Sequence, residues 1–283
     1  MAKRDVYQEI TDEIIKKLEE GVQPWKKNWA TSGYEGLPKR ITGDYYRGIN
    51  VVLLSMQCRN ADTWMTYKQA AELGGQVRKD EKSTPVTFFK PLKIEKAGVT
   101  ETIPLIRGYN VFNVEQIDDL PDKYYPKPSE PRNFNERNEK VENFLKDTRA
   151  NVLHGGGRAY FAPGPDHIQM PEYSSFDDAE SYYAVHLHEL IHWTGHKTRL
   201  DREIGNKFGE KLYAREELVA EIGAAFMCGI LGVNDTPRDD HASYLASWLK
   251  VLRDDKKAIF KASSAAQKAS DYLQTLTYVE LAA

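Results

Sequence analysis

Apolar positions over the first twenty residues fall at Val6, Ile10, Ile14 and Leu18, a strict four-residue step with charged side chains between them. That spacing stacks them on one face and predicts an amphipathic helix over residues 3–20, stopped at Gly21. The stretch "TYKQAAELGG" predicts a short helix, with Thr66 and Gln69 spaced as a capping box and Gly74 past its end. Two β-rich runs, "TPVTFFKPLKIEK" and "TETIPLIRGYNVFNV", flank a turn at Ala97-Gly98 and predict a long hairpin. Further on, "ERNEKVENFLKDTRA" predicts a helix, and "GGGRAYFAPGPDHIQMP" two short strands joined at Gly164-Pro165. Three helical segments are expected around residues 177–194, 213–231 and 241–278, the last broken into two.

Between Asp119 and Arg132 stand Pro121, Pro126, Pro128 and Pro131, a density that resists both helix and sheet. A linker there divides the chain into domains at 1–125 and 133–283. The expected fold is α+β, with an α+β front domain and a mainly helical back domain carrying a small sheet. Charge divides in the same way. Residues 1–110 hold 18 Lys and Arg against 14 Asp and Glu (+4), and residues 111–283 hold 21 against 28 (−7). The total of −3 excludes both an acidic imitation of DNA and a uniformly basic coat. Cys58 and Cys228 make no disulfide framework, and Cys228, inside "IGAAFMCGILGV", is expected in the core. The start "MAKRDVYQEITDEI" lacks a signal-peptide core and no apolar stretch approaches membrane-spanning length, so a cytoplasmic protein without a membrane partner is expected.

The candidate chemistry lies in "HELIH", residues 188–192. On a helix His188 and His192 sit one turn apart on one face and can offer two imidazoles to one metal ion, while Glu189 reaches a water held there as general base. Ser175 and Asp178 are spaced as a capping-box start for this helix, and Gly195 can end it. A third ligand is needed. The metzincin pattern would require His at position 198, which is Thr198. The gluzincin pattern takes a Glu from a second helix, and "REELVAEIGAAF" supplies Glu217 with Glu221 one turn later. Carboxylates on an otherwise apolar helix are costly to bury alone, so Glu217 is read as third ligand and Glu221 as partner of a ligand histidine. Glu216, about 100° around the helix, competes as ligand, but an exposed salt-bridging role suits it better. One divalent ion per chain is expected: zinc, with manganese or cobalt tolerated by this donor set. A purely structural site has no use for the base at Glu189. His167 is a candidate for an edge strand beside the metal, though a surface position suits it better.

In the front half, "PWKKNWATSGYEGLPKRITGDYYRGIN" interleaves aromatic and basic residues. Trp29, Tyr45 and Tyr46 are candidates to stack on bases, and Lys26, Lys27, Lys39, Arg40 and Arg47 to follow phosphates, as single-stranded nucleic acid requires.

Long stretches of the chain resemble the ArdC-type antirestriction proteins of conjugative plasmids and related mobile elements. In the front half these are "YRGINVVLLSMQ", "TWMTYKQAAELGGQVRK" and "VFNVEQI". In the back half they are "DHIQMPEYSSFDDAESYYAVHLHELIHWTGHKTRLDR", "YAREELVAEIGAAFMCGILG" and "HASYLASWLKVLRDDKKAIFKASSAAQKASDYL". The resemblance implies a front domain that binds single-stranded DNA, a zincin-like metallopeptidase domain behind it acting on a protein substrate, and protection of incoming DNA in a recipient cell. One departure is "VRKDEKST", where the family leads one to expect glycine at Asp80.

Overall fold

Helix α1 (Val6–Glu19) buries the predicted stripe, with Ile10, Ile14 and Leu18 inside. In the computed structural model, which describes residues 5–25, 36–96, 99–125, 136–204, 211–233 and 241–277, Asp5 caps this helix by accepting the Gln8 N–H at 3.2 Å. Gly21, at φ +77°, takes the left-handed turn that ends it. The expected capping box forms at helix α3 (Tyr67–Glu72), where Thr66 and Gln69 satisfy each other's backbone N–H groups. Between them the chain makes a helix that the pattern does not predict, α2 (Ile49–Ser55), buried at every position.

The front sheet is built on the expected hairpin, β4 (Thr84–Lys96) against β5 (Val99–Asn113), paired from Thr84↔Val111 to Lys96↔Val99. Strands β1 (Lys39–Arg40) and β2 (Thr63–Met65) extend it in the order β1-β2-β5-β4. Helix α2 is tied to this sheet by Asn50, whose buried side-chain amide both donates to the Thr87 carbonyl and accepts its N–H, each at 2.7 Å. The pair β3 (Gln76–Val77) and β6 (Ile117–Asp118) closes a small separate core of Met65, Val77, Val114 and Ile117. The glycine expected at position 80 has a physical basis. Asp80 sits at φ +68°, a left-handed backbone that glycine adopts freely and aspartate tolerates.

The back half carries helix α4 (Glu139–Asp147), then a three-stranded sheet of β7 (Val152–His154), β8 (Tyr160–Ala162) and β9 (His167–Met170) in the order β7-β9-β8. Four helices follow: α5 (Ala179–Thr194), α6 (Lys211–Leu231), α7 (His241–Asp254) and α8 (Ala258–Leu276). The expected break in the last helical segment falls at residues 255–257. Asp178 caps α5 alone by accepting the Ser181 N–H at 2.7 Å; Ser175 lies in a 3-10 turn, so the capping box read there does not form. Helix α6 is buried nearly all round, as its uniform apolarity requires, and Cys228 is in its core.

The two-domain α+β architecture is closed by apolar packing that crosses between the halves. Ile10, Ile14, Leu18, Trp25 and the α2 residues Val52 and Leu53 share one cluster with Trp248, Val251, Ile259 and Ala266. Trp25 meets Trp248 edge-on at 5.6 Å, and the Thr11 hydroxyl donates to the Lys256 carbonyl at 2.8 Å. No helix among the described residues is long and apolar enough to cross a membrane.

Candidate metal centre

Helices α5 and α6 cross closely because residue 223 is glycine. A Cβ there would lie 2.9 Å from the Ile191 Cδ1, too near for both to remain. That approach brings the buried end of α5 against the carboxylates of α6. His188, His192 and Glu217 each direct one donor atom to a common point, all within 4.8 Å of one another. The His188 and His192 Nε2 atoms are 3.2 Å apart, His188 Nε2 is 3.5 Å from Glu217 Oε2, and His192 Nε2 is 3.4 Å from Glu217 Oε1. Tetrahedral ligands at about 2.0–2.1 Å from zinc stand roughly 3.3–3.4 Å from each other, so three corners of such a site are already spaced for the ion. All three residues are buried, as is Glu189.

Each of these two histidines is held from behind by a carboxylate. His188 Nδ1 faces Glu221 at 3.4 Å, the partnership read from the sequence. His192 Nδ1 faces Glu216 at 3.2 Å. The exposed role expected of Glu216 is therefore a correction: it is 4% exposed, because Arg202 reaches in and donates to its two oxygens at 2.7 and 3.1 Å. The same guanidinium donates to the Ile191 carbonyl at 2.7 Å and the Thr194 hydroxyl at 2.8 Å, so Arg202 stitches the end of α5 to α6. It fits because residue 195 has no side chain; a Cβ there would lie 2.9 Å from the Arg202 Nη2. The sequence signal for this outer layer is present in "TRLDR" and the paired "EE", but a remote arginine has no fixed spacing to the histidines. Tyr213, one turn before Glu217 on α6, also escapes a reading by spacing. Burial and its neighbours Tyr244 and Glu217 hold its phenol protonated well above the usual range.

The electrostatics favour a cation. Burial opposes charge on His192, yet Glu217 and Glu216 beside it outweigh this and push its pKa up to about 10. Burial alone would raise the Glu217 pKa, but His192 and His188 hold that carboxyl far below the usual range. With Glu189, Glu216, Glu217 and Glu221 all buried in one group and Arg202 answering Glu216, the donor set fits a divalent ion both in geometry and in charge. By contrast, buried His186 on the same helix is driven down to about 3 by desolvation and stays neutral. Replacing Arg202 with Gln is expected to weaken metal binding roughly 10–100-fold, the usual cost of losing an outer partner, measured by competition with a chromogenic chelator. Unchanged affinity would remove Arg202 from this role.

The other candidates are more dispersed. Among the nucleic-acid residues, Lys26, Lys27 and Trp29 lie outside the described residues. Tyr46 is only 2% exposed and has no face to offer a base, a correction that follows from its packing beneath Arg40, whose guanidinium lies 4.7 Å from the ring. Tyr45 is half-buried, Lys39 pairs with Asp62 at 3.0 Å, and Arg47 pairs with Asp271 of α8. His167 sits on the central strand β9 rather than on an edge.

Comparison with known proteins places this geometry. Residues 4–112 match the model of the N-terminal domain of anti-restriction factor ArdC, and residues 139–265 match that of a zincin-like metallopeptidase. The crystal structures of the antirestriction protein ArdC from plasmid R388, metal-free and Mn(II)-bound, superpose with TM-scores of 0.83 and 0.81. Both are 42% identical and cover 96% of this chain and 98% of theirs. The protein y4eC of Sinorhizobium fredii is 37% identical over 95% of this chain and 91% of its own length. Two DNA primases TraC of Escherichia coli are 40% and 36% identical over 96% of this chain, which spans only 20% and 27% of their lengths. On these grounds the chain belongs to the ArdC family of antirestriction proteins, with an ArdC-type front domain and a zincin-like back domain.

Proposed function

We propose that this protein protects incoming DNA by two coupled activities: the front domain holds single-stranded DNA, and the back domain is a zinc-dependent peptidase with a protein substrate. The observation that carries the second half is the 3.2–3.5 Å spacing of the His188, His192 and Glu217 donor atoms beside a buried Glu189. When bound, the ion supplies Lewis-acid polarisation of the carbonyl and acidifies water. Glu189 then takes the proton of the attacking water as the C–O bond forms and returns it to the amine as the C–N bond breaks. Glu216 and Glu221 fix the tautomers and directions of the two imidazoles. The same donors accept manganese or cobalt as well as zinc, in keeping with the Mn(II) complex of the R388 relative.

The test is Glu189→Gln, which keeps the shape and the three metal donors but removes the base. Peptidase turnover should fall by a factor of roughly 10²–10⁴ with metal content unchanged. Protection in a transfer assay into a restricting recipient should fall with it. Protection equal to wild type would mean that DNA binding alone suffices and that the metal site is structural for this purpose.

A further inference from the structure

Trp25 and Tyr46 are buried and offer no face to a base, but aromatic and basic groups converge elsewhere among the described residues. Between the two halves runs a cleft of about 910 Å³. One wall is α8 and the residue before it. Lys257, Lys261, Ser264 and Lys268 follow steps of four, three and four residues, which places them on a single face, and all four are exposed along it. The stripe spans about 16 Å of helix axis. Across from it stand Asn50, Thr87 and Phe89 of the front domain. Phe89 is 52% exposed only two residues after the buried Thr87, so the strand leaves the core there with its ring uncovered. Arg47 and Arg202 also line it but are already engaged, with Asp271 and Glu216, and Lys261 reaches Asp255 at 2.9 Å from its exposed position. Among the described residues the one acidic side chain of the lining is Asp271, which pairs with Arg47.

We propose that single-stranded DNA lies in this interdomain cleft, its phosphates on the α8 lysines and a base on Phe89. The inference rests on the single-strand-binding reading above and adds that the back domain supplies the phosphate contacts. A trough with cations along one wall and a flat ring on the other has the form that a single strand needs, since every base has a stacking face and every nucleotide a charge. It also makes the bound strand a bridge between the halves.

The full-length chain is titrated with a labelled oligothymidylate at two salt concentrations. The variants are Lys257→Gln/Lys261→Gln/Lys268→Gln, Phe89→Ala, and a charge-matched control, Lys68→Gln/Lys140→Gln/Lys146→Gln, on exposed positions away from the cleft. The cleft triple variant should bind at least tenfold more weakly, with a salt slope flatter by roughly 0.7 for each phosphate that is no longer neutralised. Phe89→Ala should lose on the order of tenfold with the slope unchanged. The control should match wild type, and melting curves of all four proteins should agree. Wild-type binding with cleft variants as tight as the control would overturn the cleft and leave the single-strand reading standing. No binding by wild type would overturn that reading and the cleft together. Displacement of the oligonucleotide by polyglutamate at equal charge concentration would also overturn the proposal, since the cleft would then be only an anion trap.

Discussion

Replacing His188 and His192 together with alanine is expected to leave a folded protein with no stoichiometric metal, against one divalent ion per chain in wild type. The loss should exceed the roughly 10–100-fold penalty of an outer-partner change such as Arg202→Gln, because two of the three donors disappear rather than move. Stability provides an independent measure. A ligand that binds only the folded state, present at about a thousand times its dissociation constant, adds about 4 kcal/mol. Chelation should therefore lower the melting temperature of wild type by on the order of 10 °C and leave the double variant unmoved. Glu217→Gln should fall between them, keeping the shape of the site but offering a neutral oxygen. Full metal occupancy in the double variant by elemental analysis would show that the ion sits elsewhere and would undo the assignment of all three ligands.

The second large effect is expected in the packing between the two halves. Trp248 is completely buried, meets Trp25 edge-on and stacks on Tyr244 at 6.0 Å. Trp248→Ala should cost about 3–5 kcal/mol, the range for removing a large aromatic side chain from a packed core. The informative part is where the loss registers. Since Ile10, Ile14 and Leu18 belong to the same cluster, amide exchange in α1 should accelerate together with exchange in α7 and α8. Retained protection of α1 with the rest opened would show that the halves fold independently despite sharing this surface. Urea denaturation followed by circular dichroism supplies the total.

What the sequence disclosed divides along physical lines. The four-residue step of α1, the capping box at Thr66 and the long hairpin are local signals, and each is found where its pattern lies. Helix α2 is hidden because "INVVLLS" is short, with an unbroken apolar run between Asn50 and Ser55: a buried helix and a buried strand read alike when no exposed polar face gives a period. Strands of two or three residues, such as β1, β3 and β7, carry too few positions for alternation to appear. The convergence of His188 and His192 is legible because a helix fixes their spacing, and that of Glu217 because a carboxylate on an apolar helix demands a reason. Arg202 is not, since its place is set by the fold of the segment after α5 and by the absence of a side chain at Gly195. Tyr46 misled for a related reason. Aromatic residues beside cations have the same composition on a nucleic-acid surface and in a core whose rim is charged.

The shared core between the halves also bears on how such a segment passes from one protein to another. Cutting the chain at the proline-rich stretch would strip α1 and α2 of the apolar partners they have on α7 and α8. A recombination event that moved either half alone would deliver a fragment with its core face open to water, poorly soluble and short-lived in its new host. Breakpoints outside both halves keep that shared core whole. The alignments to the TraC primases have that form: each takes in 96% of this chain, front and back together, within a protein several times its length. Packing gives the two halves a physical reason to travel together.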